Sequence, residues 1–233
     1  MFSDTSLIEE MPTKVSVSTK PVSRSAARFT LIAATGFLGL LLLLHFIKPE
    51  MDPSWHFISE YALGRYGWVM SFSFLLIAAG YISLFAALRL QFPRSIPGKI
   101  AQVLILISAA GLALAGVFAT DPIDIPVEQI TASGSLHKLG GTLGLAMPFA
   151  ALFTTIGLLK NPEWSAAKRP LWLATIIALL GFLAAFVSMI VMLTISNGKF
   201  GPGVSVGWPN RIEMAGYVIW LMVVAGQALI YRK

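Results

Sequence analysis

Residues 171–195 read LWLATIIALLGFLAAFVSMIVMLTI and contain no Asp, Glu, Lys, Arg or His. Crossing the roughly 30 Å hydrocarbon core of a bilayer takes about 20 residues of α-helix, because each residue rises about 1.5 Å. A helix of this length on the surface of a soluble protein would need a polar face. The stretch therefore predicts a helix that crosses a membrane.

Five other stretches without Asp, Glu, Lys or Arg are long enough for the same role, at residues 29–47, 67–88, 100–118, 139–159 and 214–231. The composition agrees, since 56% of the residues are hydrophobic and only 12% are charged, against about 25% charged in a typical soluble domain. We therefore predict an all-α polytopic membrane protein. A bundle of six transmembrane helices with long outer loops occupies residues 29–231, and residues 1–28 form a flexible cytoplasmic tail.

The basic residues predict the orientation of this bundle. Placing the N-terminus in the cytoplasm leaves outside only five of the 17 Lys and Arg residues, namely Lys48, Arg65, Lys138, Lys199 and Arg211. An excess of Lys and Arg in cytoplasmic connections is the rule for multi-pass proteins. We therefore expect a cell-membrane protein with both termini in the cytoplasm and the lipid bilayer as its main partner. The net charge of +6 follows from this distribution, so it does not indicate a nucleic-acid partner.

The three outer connections, at residues 48–66, 119–138 and 196–213, are long and carry most of the acidic side chains. The chain has no cysteine, which excludes disulfides, thiolate metal sites and thiol nucleophiles. The remaining chemically capable groups near these connections are Glu50, Asp52, His56, Glu60, Asp121, Asp124, Glu128, His137 and Glu213. Long connections are often functional, so we expect any site to lie at the outer face.

Small residues in the third and fourth stretches predict close helix packing. Spacings of three or four place residues on one helix face, and small side chains there let two backbones approach each other. The two sets are Ser108, Gly111, Ala115 and Ala119, and His137, Gly141, Gly144, Pro148, Ala151 and Thr155. Pro148 should kink the fourth helix, and His137 at the top of its packing face should point into the bundle.

Asp121 and His137 bound the second outer loop, and we expect them to approach within hydrogen-bond or one-water distance. A carboxylate that orients an imidazole is a recurring arrangement for general bases and for metal ligands. The alternative is that Asp121, which precedes Pro122, only ends a helix by bonding local backbone amides.

The first and third outer loops add further candidates. If the chain is helical at His56, it lies one turn from Glu60 and could share a proton or a cation with it, with Ser59 beside them. The alternative is an interfacial turn in which Glu60 caps the chain or pairs with Arg65. We expect Arg211 to turn inward and pair with Glu60 or Asp121, where it could also bind an anionic group. Otherwise Arg211 reaches outward to lipid phosphate.

The chain resembles the domain-of-unknown-function 998 family over roughly residues 28–231. The resemblance lies in Ile58-Ser59-Glu60-Tyr61-Ala62-Leu63-Gly64 followed by Gly67-Trp68, in Gly116-Val117-Phe118-Ala119-Thr120-Asp121-Pro122, in His137, and in Asn210-Arg211-Ile212. It implies a six-helix prokaryotic membrane protein that shares the polar residues Ser59, Glu60, Asp121, His137 and Arg211. It implies no activity. Ala119 departs from the family pattern, which has proline there.

Three classes of function fit an outward site with these residues. The first is a membrane-embedded hydrolase acting on a lipid-like or headgroup substrate. The second is a protein that binds or transports a small solute, and the third is a structural or accessory membrane protein without catalysis. We favour the hydrolase. Its catalytic candidates are His137 as base or metal ligand, Asp121 as its orienting group, Glu60 as acid or second ligand, and Ser59, while Arg211 would bind substrate.

Two cofactors are compatible with these residues. A divalent metal would have His137, Glu60 and Asp121 as candidate ligands. A haem would take His45 and His137 as axial ligands, which we favour less because electron-transfer bundles usually offer more paired histidines.

Overall fold

The computed structural model describes residues 21–92 and 94–231. Within these residues no strand occurs, and the α-helices are α1 (Arg24–Ile47), α2 (Gly67–Leu88), α3 (Ile96–Val117), α4 (Ala132–Gly144), α5 (Met147–Leu159), α6 (Lys168–Ile195) and α7 (Gly207–Ile230). Short 3₁₀ helices lie at Ile58–Ala62, Val127–Gln129 and Pro162–Ala167. Because α4 and α5 together make one crossing, six helical segments are long and apolar enough to span a membrane. The predicted all-α membrane bundle is confirmed.

Several helices extend beyond the apolar stretches that predicted them. α1 begins at Arg24 and not at residue 29, and α7 begins at Gly207 and not at residue 214. Apolar residues mark only the part of a helix inside the hydrocarbon, whereas the hydrogen-bonded backbone continues into the polar interface. Of the tail predicted at residues 1–28, residues 1–20 lie outside the described part of the chain.

The fourth crossing is interrupted where Pro148 was expected to kink it. α4 ends at Gly144 and α5 begins at Met147. Proline lacks a backbone N–H, and its ring clashes with the carbonyl four residues earlier, which here belongs to Gly144. The proline therefore ends one helix and starts the next.

α3 and α4 pack closely through two glycines. A Cβ atom added to Gly140 would lie 2.6 Å from the Gly111 carbonyl oxygen, and one added to Gly111 would lie 2.6 Å from the Gly140 oxygen. The close packing predicted at Gly111 is confirmed, but the prediction that Gly141 lies on the packing face of the fourth crossing is wrong. A Cβ on Gly141 would meet nothing within 4 Å, because this residue faces away from α3.

The two ends of the bundle differ in the length of their connections. The long-loop end carries residues 48–66, 118–131 and 196–206, and the short-loop end carries 89–92, 94–95 and 160–167. Both described chain ends lie at the short-loop end. Ser83 near the end of α2 donates to the Ala26 carbonyl (3.0 Å), and Tyr231 donates to Glu163.

The second half of α6 leaves a cleft beside α4. α6 packs on α7 and α5, whereas α4 packs on α3. The buried residues of α6 are all in its first half, from Leu171 to Gly181, and none of residues 182–195 is buried. Toward the long-loop end, the surface of α6 is therefore largely uncovered by the rest of the bundle.

Candidate functional site

The cleft between α4 and the second half of α6, at the long-loop end, contains a cavity of about 590 Å³. Its volume lies in the range of about 300–1,000 Å³ that is usual for small-molecule sites. Its chemically capable lining residues are Ser59, Glu60, Asp121, His137, Lys138, Glu213 and Tyr217, and its larger apolar ones include Phe74, Leu112, Phe182, Phe186 and Met189. Four of the five predicted site residues thus border one space. The exception is Arg211.

The side chain of His137 lines the cavity and is held in a defined orientation. Its side chain is only 7% exposed, and Nδ1 lies 2.9 Å from the Phe118 carbonyl oxygen. Since a carbonyl can only accept a hydrogen bond, Nδ1 carries a proton, and in the neutral ring Nε2 carries the lone pair. Phe74 packs its ring against the imidazole at 6.1 Å between centroids. This fixed tautomer is what a general base or a metal ligand requires.

Asp121 stabilises the start of α4 and forms no direct hydrogen bond with His137. Its Oδ2 accepts from the Thr131 backbone N–H and its Oδ1 from the Thr131 hydroxyl, both at 2.9 Å. Thr131 in turn caps α4 by accepting from the Gly134 N–H at 2.9 Å. A Cβ on Gly134 would overlap the Asp121 carboxylate. A direct hydrogen bond between Asp121 and His137 is therefore wrong, because Thr131 at the start of α4 occupies both Asp121 oxygens. An approach of the two side chains at one-water distance stays a prediction.

Glu60 joins the first and second long loops. It is 1% exposed, and its two oxygens accept from the backbone N–H groups of Phe57 (2.9 Å) and Ile123 (3.0 Å). His56 Nδ1 lies 3.1 Å from Glu60 Oε2, but it is not aligned for a hydrogen bond. Arg65 does not pair with Glu60 and instead stacks on Tyr66 at 4.6 Å.

Arg211 turns inward as expected, but its predicted carboxylate partner is wrong. Nη1 donates to the His56 carbonyl (2.7 Å), the Gly207 carbonyl (3.0 Å) and the Pro53 carbonyl (3.3 Å). Nε and Nη2 donate to neutral side chains, His45 Nε2 (2.9 Å) and Tyr61 Oη (3.1 Å). Arg211 therefore secures the first long loop onto α7, and in the described structure it does not border the cavity.

His45 is fully engaged in the same arrangement. Its Nδ1 lies 2.8 Å from the Leu41 carbonyl, so Nε2 is free to accept from Arg211. With both ring nitrogens bonded, His45 has no lone pair left for the haem iron considered above.

Lys48 is a buried cation that the sequence did not single out. It is 1% exposed, and its ammonium donates to the carbonyls of Tyr61 (3.2 Å) and Leu63. Glu50 lies 3.7 Å away at the surface. A lysine directly after an apolar helix normally indicates an interfacial anchor, but here it folds back over the Ile58–Ala62 turn. We call Lys48, His45, Tyr61 and Arg211 together the clasp.

Glu213 and Tyr217 are cavity residues that gained importance only from the structure. Because α7 begins at Gly207, Glu213 lies about 9 Å along the helix at about 1.5 Å per residue. Its Oε1 accepts from the Tyr217 hydroxyl at 2.8 Å. Among residues 21–92 and 94–231, no Lys or Arg forms a salt bridge with it. The sequence pattern had placed this carboxylate outside the span.

The candidate metal ligands are not assembled into a ligand set. No group of three or more His, Asp or Glu side chains suited to a metal occurs in the part of the chain that the structure describes. Glu60 and Asp121 each use both oxygens for hydrogen bonds. A metal bound by His137, Glu60 and Asp121 stays a prediction.

A family model described as "Protein of unknown function (DUF998)" matches residues 31–227. This range includes every residue of the clasp and of the cavity. No curated protein and no solved structure gives a significant match. The chain is a membrane protein that belongs to the DUF998 family, as the motifs around Glu60, Asp121, His137 and Arg211 indicated.

Proposed function

We propose that this protein binds a lipid-like molecule in the cavity, with the hydrocarbon chain of the ligand toward the opening between α4 and α6 and its polar group among Glu60, His137 and Glu213. The observation that carries the proposal is the lateral opening of the cavity. Leu145 and Phe186 both border the cavity, yet they are 49% and 51% exposed. In a membrane, such exposed surface meets lipid chains, so a ligand can enter without leaving the bilayer.

The same proposal includes the orientation of the bundle. The long-loop end faces the exterior of the cell membrane, and both termini lie in the cytoplasm. The distribution of basic residues supports this, because the short-loop end and the helix ends next to it carry Arg89, Arg94, Lys99, Lys160, Lys168 and Arg169. Anionic lipid of the inner leaflet favours such residues. The ligand then reaches the cavity from the outer leaflet.

A second function, hydrolysis of the bound molecule, is favoured by the fixed orientation and tautomer of the His137 side chain. Its Nδ1–H is fixed by Phe118, so Nε2 can take a proton from water as the water attacks an ester carbonyl. The same proton then passes to the leaving alcohol, and the balance is one ester plus one water giving an acid and an alcohol. Asp121 acts here as a positioning residue, because it fixes the start of α4, which carries His137. Ser59 and Glu60 border the space beside the reacting group.

Blocking the cavity tests the binding proposal. Ala185 borders the cavity, whereas the neighbouring Ala184 is exposed on the outer surface of α6. We expect Ala185→Trp to reduce binding of dodecanol, measured by native mass spectrometry from a maltoside detergent, by at least tenfold. Ala184→Trp is the matched control and should bind as the wild type does. Equal binding by all three proteins would contradict the proposal and favour a structural role.

The catalytic proposal has a separate test. Purified wild-type protein is incubated with a mixture of membrane lipids, and released fatty acids and headgroups are measured by mass spectrometry. We expect release by the wild type and a loss of at least a hundredfold in His137→Gln, in keeping with the usual contribution of a general base of about 10²–10⁴. His137→Gln should still bind dodecanol. No release by the wild type would contradict hydrolysis and leave the binding proposal standing.

A further inference from the structure

We propose that the cavity selects an amphipathic molecule that carries a positively charged ammonium group, with the Glu213 carboxylate as its counter-ion. The inference rests on the proposed function, since it specifies the chemical class of the bound molecule. It follows from the charges that surround the cavity, from the hydrogen bonds that these charges already make, and from the aromatic rings beside them.

Negative charge predominates around the cavity. Three carboxylates border it, those of Glu60, Asp121 and Glu213, whereas the only Lys or Arg among its described lining residues is Lys138. Lys138 is exposed to the surroundings. A cationic ligand is therefore favoured over an anionic one.

The buried cations at this end of the bundle do not neutralise the carboxylates. Arg211 donates to three carbonyls, to His45 and to Tyr61. Lys48 donates to the carbonyls of Tyr61 and Leu63. In the described ranges, no Lys or Arg pairs with a carboxylate of the cavity, since Lys48 lies near Glu50 and Glu60 has only the His56 imidazole within 4 Å, at 3.1 Å. The protein thus keeps its buried Lys and Arg side chains in the clasp and away from the cavity.

Glu213 differs from the other two carboxylates in the kind of donor that contacts it. Glu60 and Asp121 each accept from at least one backbone N–H, whereas the donors at Glu213 are the side chains of Tyr217 and Asn210, both of which border the cavity. An ionised carboxylate offers about four acceptor positions. A half-buried carboxylate without a cation is energetically unfavourable, so an entering ammonium group would supply the missing partner.

Aromatic rings beside this carboxylate suit an ammonium group. Tyr217 borders the cavity together with Phe182 and Phe186, whose rings stack at 5.8 Å between centroids. The face of an aromatic ring attracts a cation, and quaternary ammonium groups are typically bound in this way. The lateral opening between α4 and α6 favours a molecule that also carries a hydrocarbon chain.

The test compares four probes by native mass spectrometry of the full chain in a neutral maltoside detergent. They are dodecyltrimethylammonium, dodecanoate, dodecanol and tetramethylammonium. We expect dodecyltrimethylammonium to bind at least tenfold more tightly than dodecanoate or dodecanol. Tetramethylammonium should bind far more weakly, and equal binding by it would identify a free ammonium ion as the ligand and overturn the proposal of an amphipath.

Single substitutions test which side chain makes the cavity selective for the ammonium probe. Glu213→Gln should lose the preference for the ammonium probe and keep its affinity for dodecanol, which also shows that it is folded. Glu213→Asp should retain most of the preference. Glu128→Gln, an exposed residue at the same end that does not border the cavity, should behave as the wild type.

The outcomes separate this inference from the function on which it rests. If all three chain-bearing probes bind equally and Ala185→Trp blocks them all, the cavity binds amphipaths and the ammonium inference is wrong. If Ala185→Trp blocks none of them, the binding proposal itself is wrong.

Discussion

The clasp and the cavity lie at the same end of the bundle, but the charged groups in them differ in how fully the protein itself supplies their hydrogen-bond partners. In the clasp, the ammonium of Lys48 and the guanidinium of Arg211 are surrounded by carbonyls and neutral side chains of the protein itself. Beside the cavity, Glu213 has only the side chains of Tyr217 and Asn210 as donors, and it borders open space. A charge whose partners are all within the chain stabilises the fold, whereas a charge with spare capacity beside a cavity can bind a ligand.

Removal of Arg211 should have the largest effect on stability. Arg211→Gln leaves several buried acceptors without donors, and each such group costs about 1–3 kcal/mol. We expect a loss of roughly 3 kcal/mol or more, which corresponds to a fall of about 6–12 °C in Tm for a protein of this size. Thermal unfolding in detergent measures it. Arg211→Lys should fall between this variant and the wild type, because one ammonium cannot reproduce the planar fork.

Arg65→Gln is the matched control for Arg211. Arg65 is exposed and stacks only on Tyr66, so its removal should shift Tm by less than about 2 °C, since surface substitutions usually cost no more than about 0.5 kcal/mol. Equal stability of Arg211→Gln and Arg65→Gln would show that Arg211 is an interfacial anchor and that the clasp is not a structural unit.

Alanine substitutions at two glycines of α4 should differ from each other in stability, by less than the effect expected for Arg211→Gln. Gly134→Ala forces a methyl group into the Asp121 carboxylate and should cost about 1–3 kcal/mol, as overpacking usually does. Gly141→Ala meets open space, so it should leave stability unchanged or raise it by up to about 1 kcal/mol through helix propensity. Thermal unfolding of the two variants measures the difference, and a loss in both would contradict the packing of α4 described here.

The membrane crossings were predictable because they depend on local composition. The length of the apolar stretch 171–195 identifies a membrane crossing, and the missing backbone N–H of Pro148 identifies a helix break. Neither inference needs information on neighbouring helices. The packing face of α4 was not predictable to the residue, since Gly140 and Gly141 lie three and four positions after His137 and both share its face. Only contact with Gly111 distinguishes them.

The site was predictable as a set of residues but not as a set of bonds. Ser59, Glu60, Asp121 and His137 do border one cavity, as the connections and the family motifs indicated. Their hydrogen bonds depend on where loops return to the bundle, and a sequence pattern does not give that information. The depth of Glu213 was missed for a related reason, because the polar first turns of α7 hide the start of the helix.

The separate roles of the clasp and the cavity are tested by the affinity of folded Ala185→Trp and folded Arg211→Gln for dodecyltrimethylammonium, together with the Tm of each. Arg211→Gln is measured well below its own Tm, so that unfolding does not enter the affinity. We expect Ala185→Trp to lose at least tenfold in affinity with little change in Tm. We expect Arg211→Gln to lose stability while its folded fraction keeps the wild-type affinity within about threefold. A stable Arg211→Gln that no longer binds, or an Ala185→Trp that binds as the wild type does, would contradict the assignment of the clasp to the fold and of the cavity to the ligand.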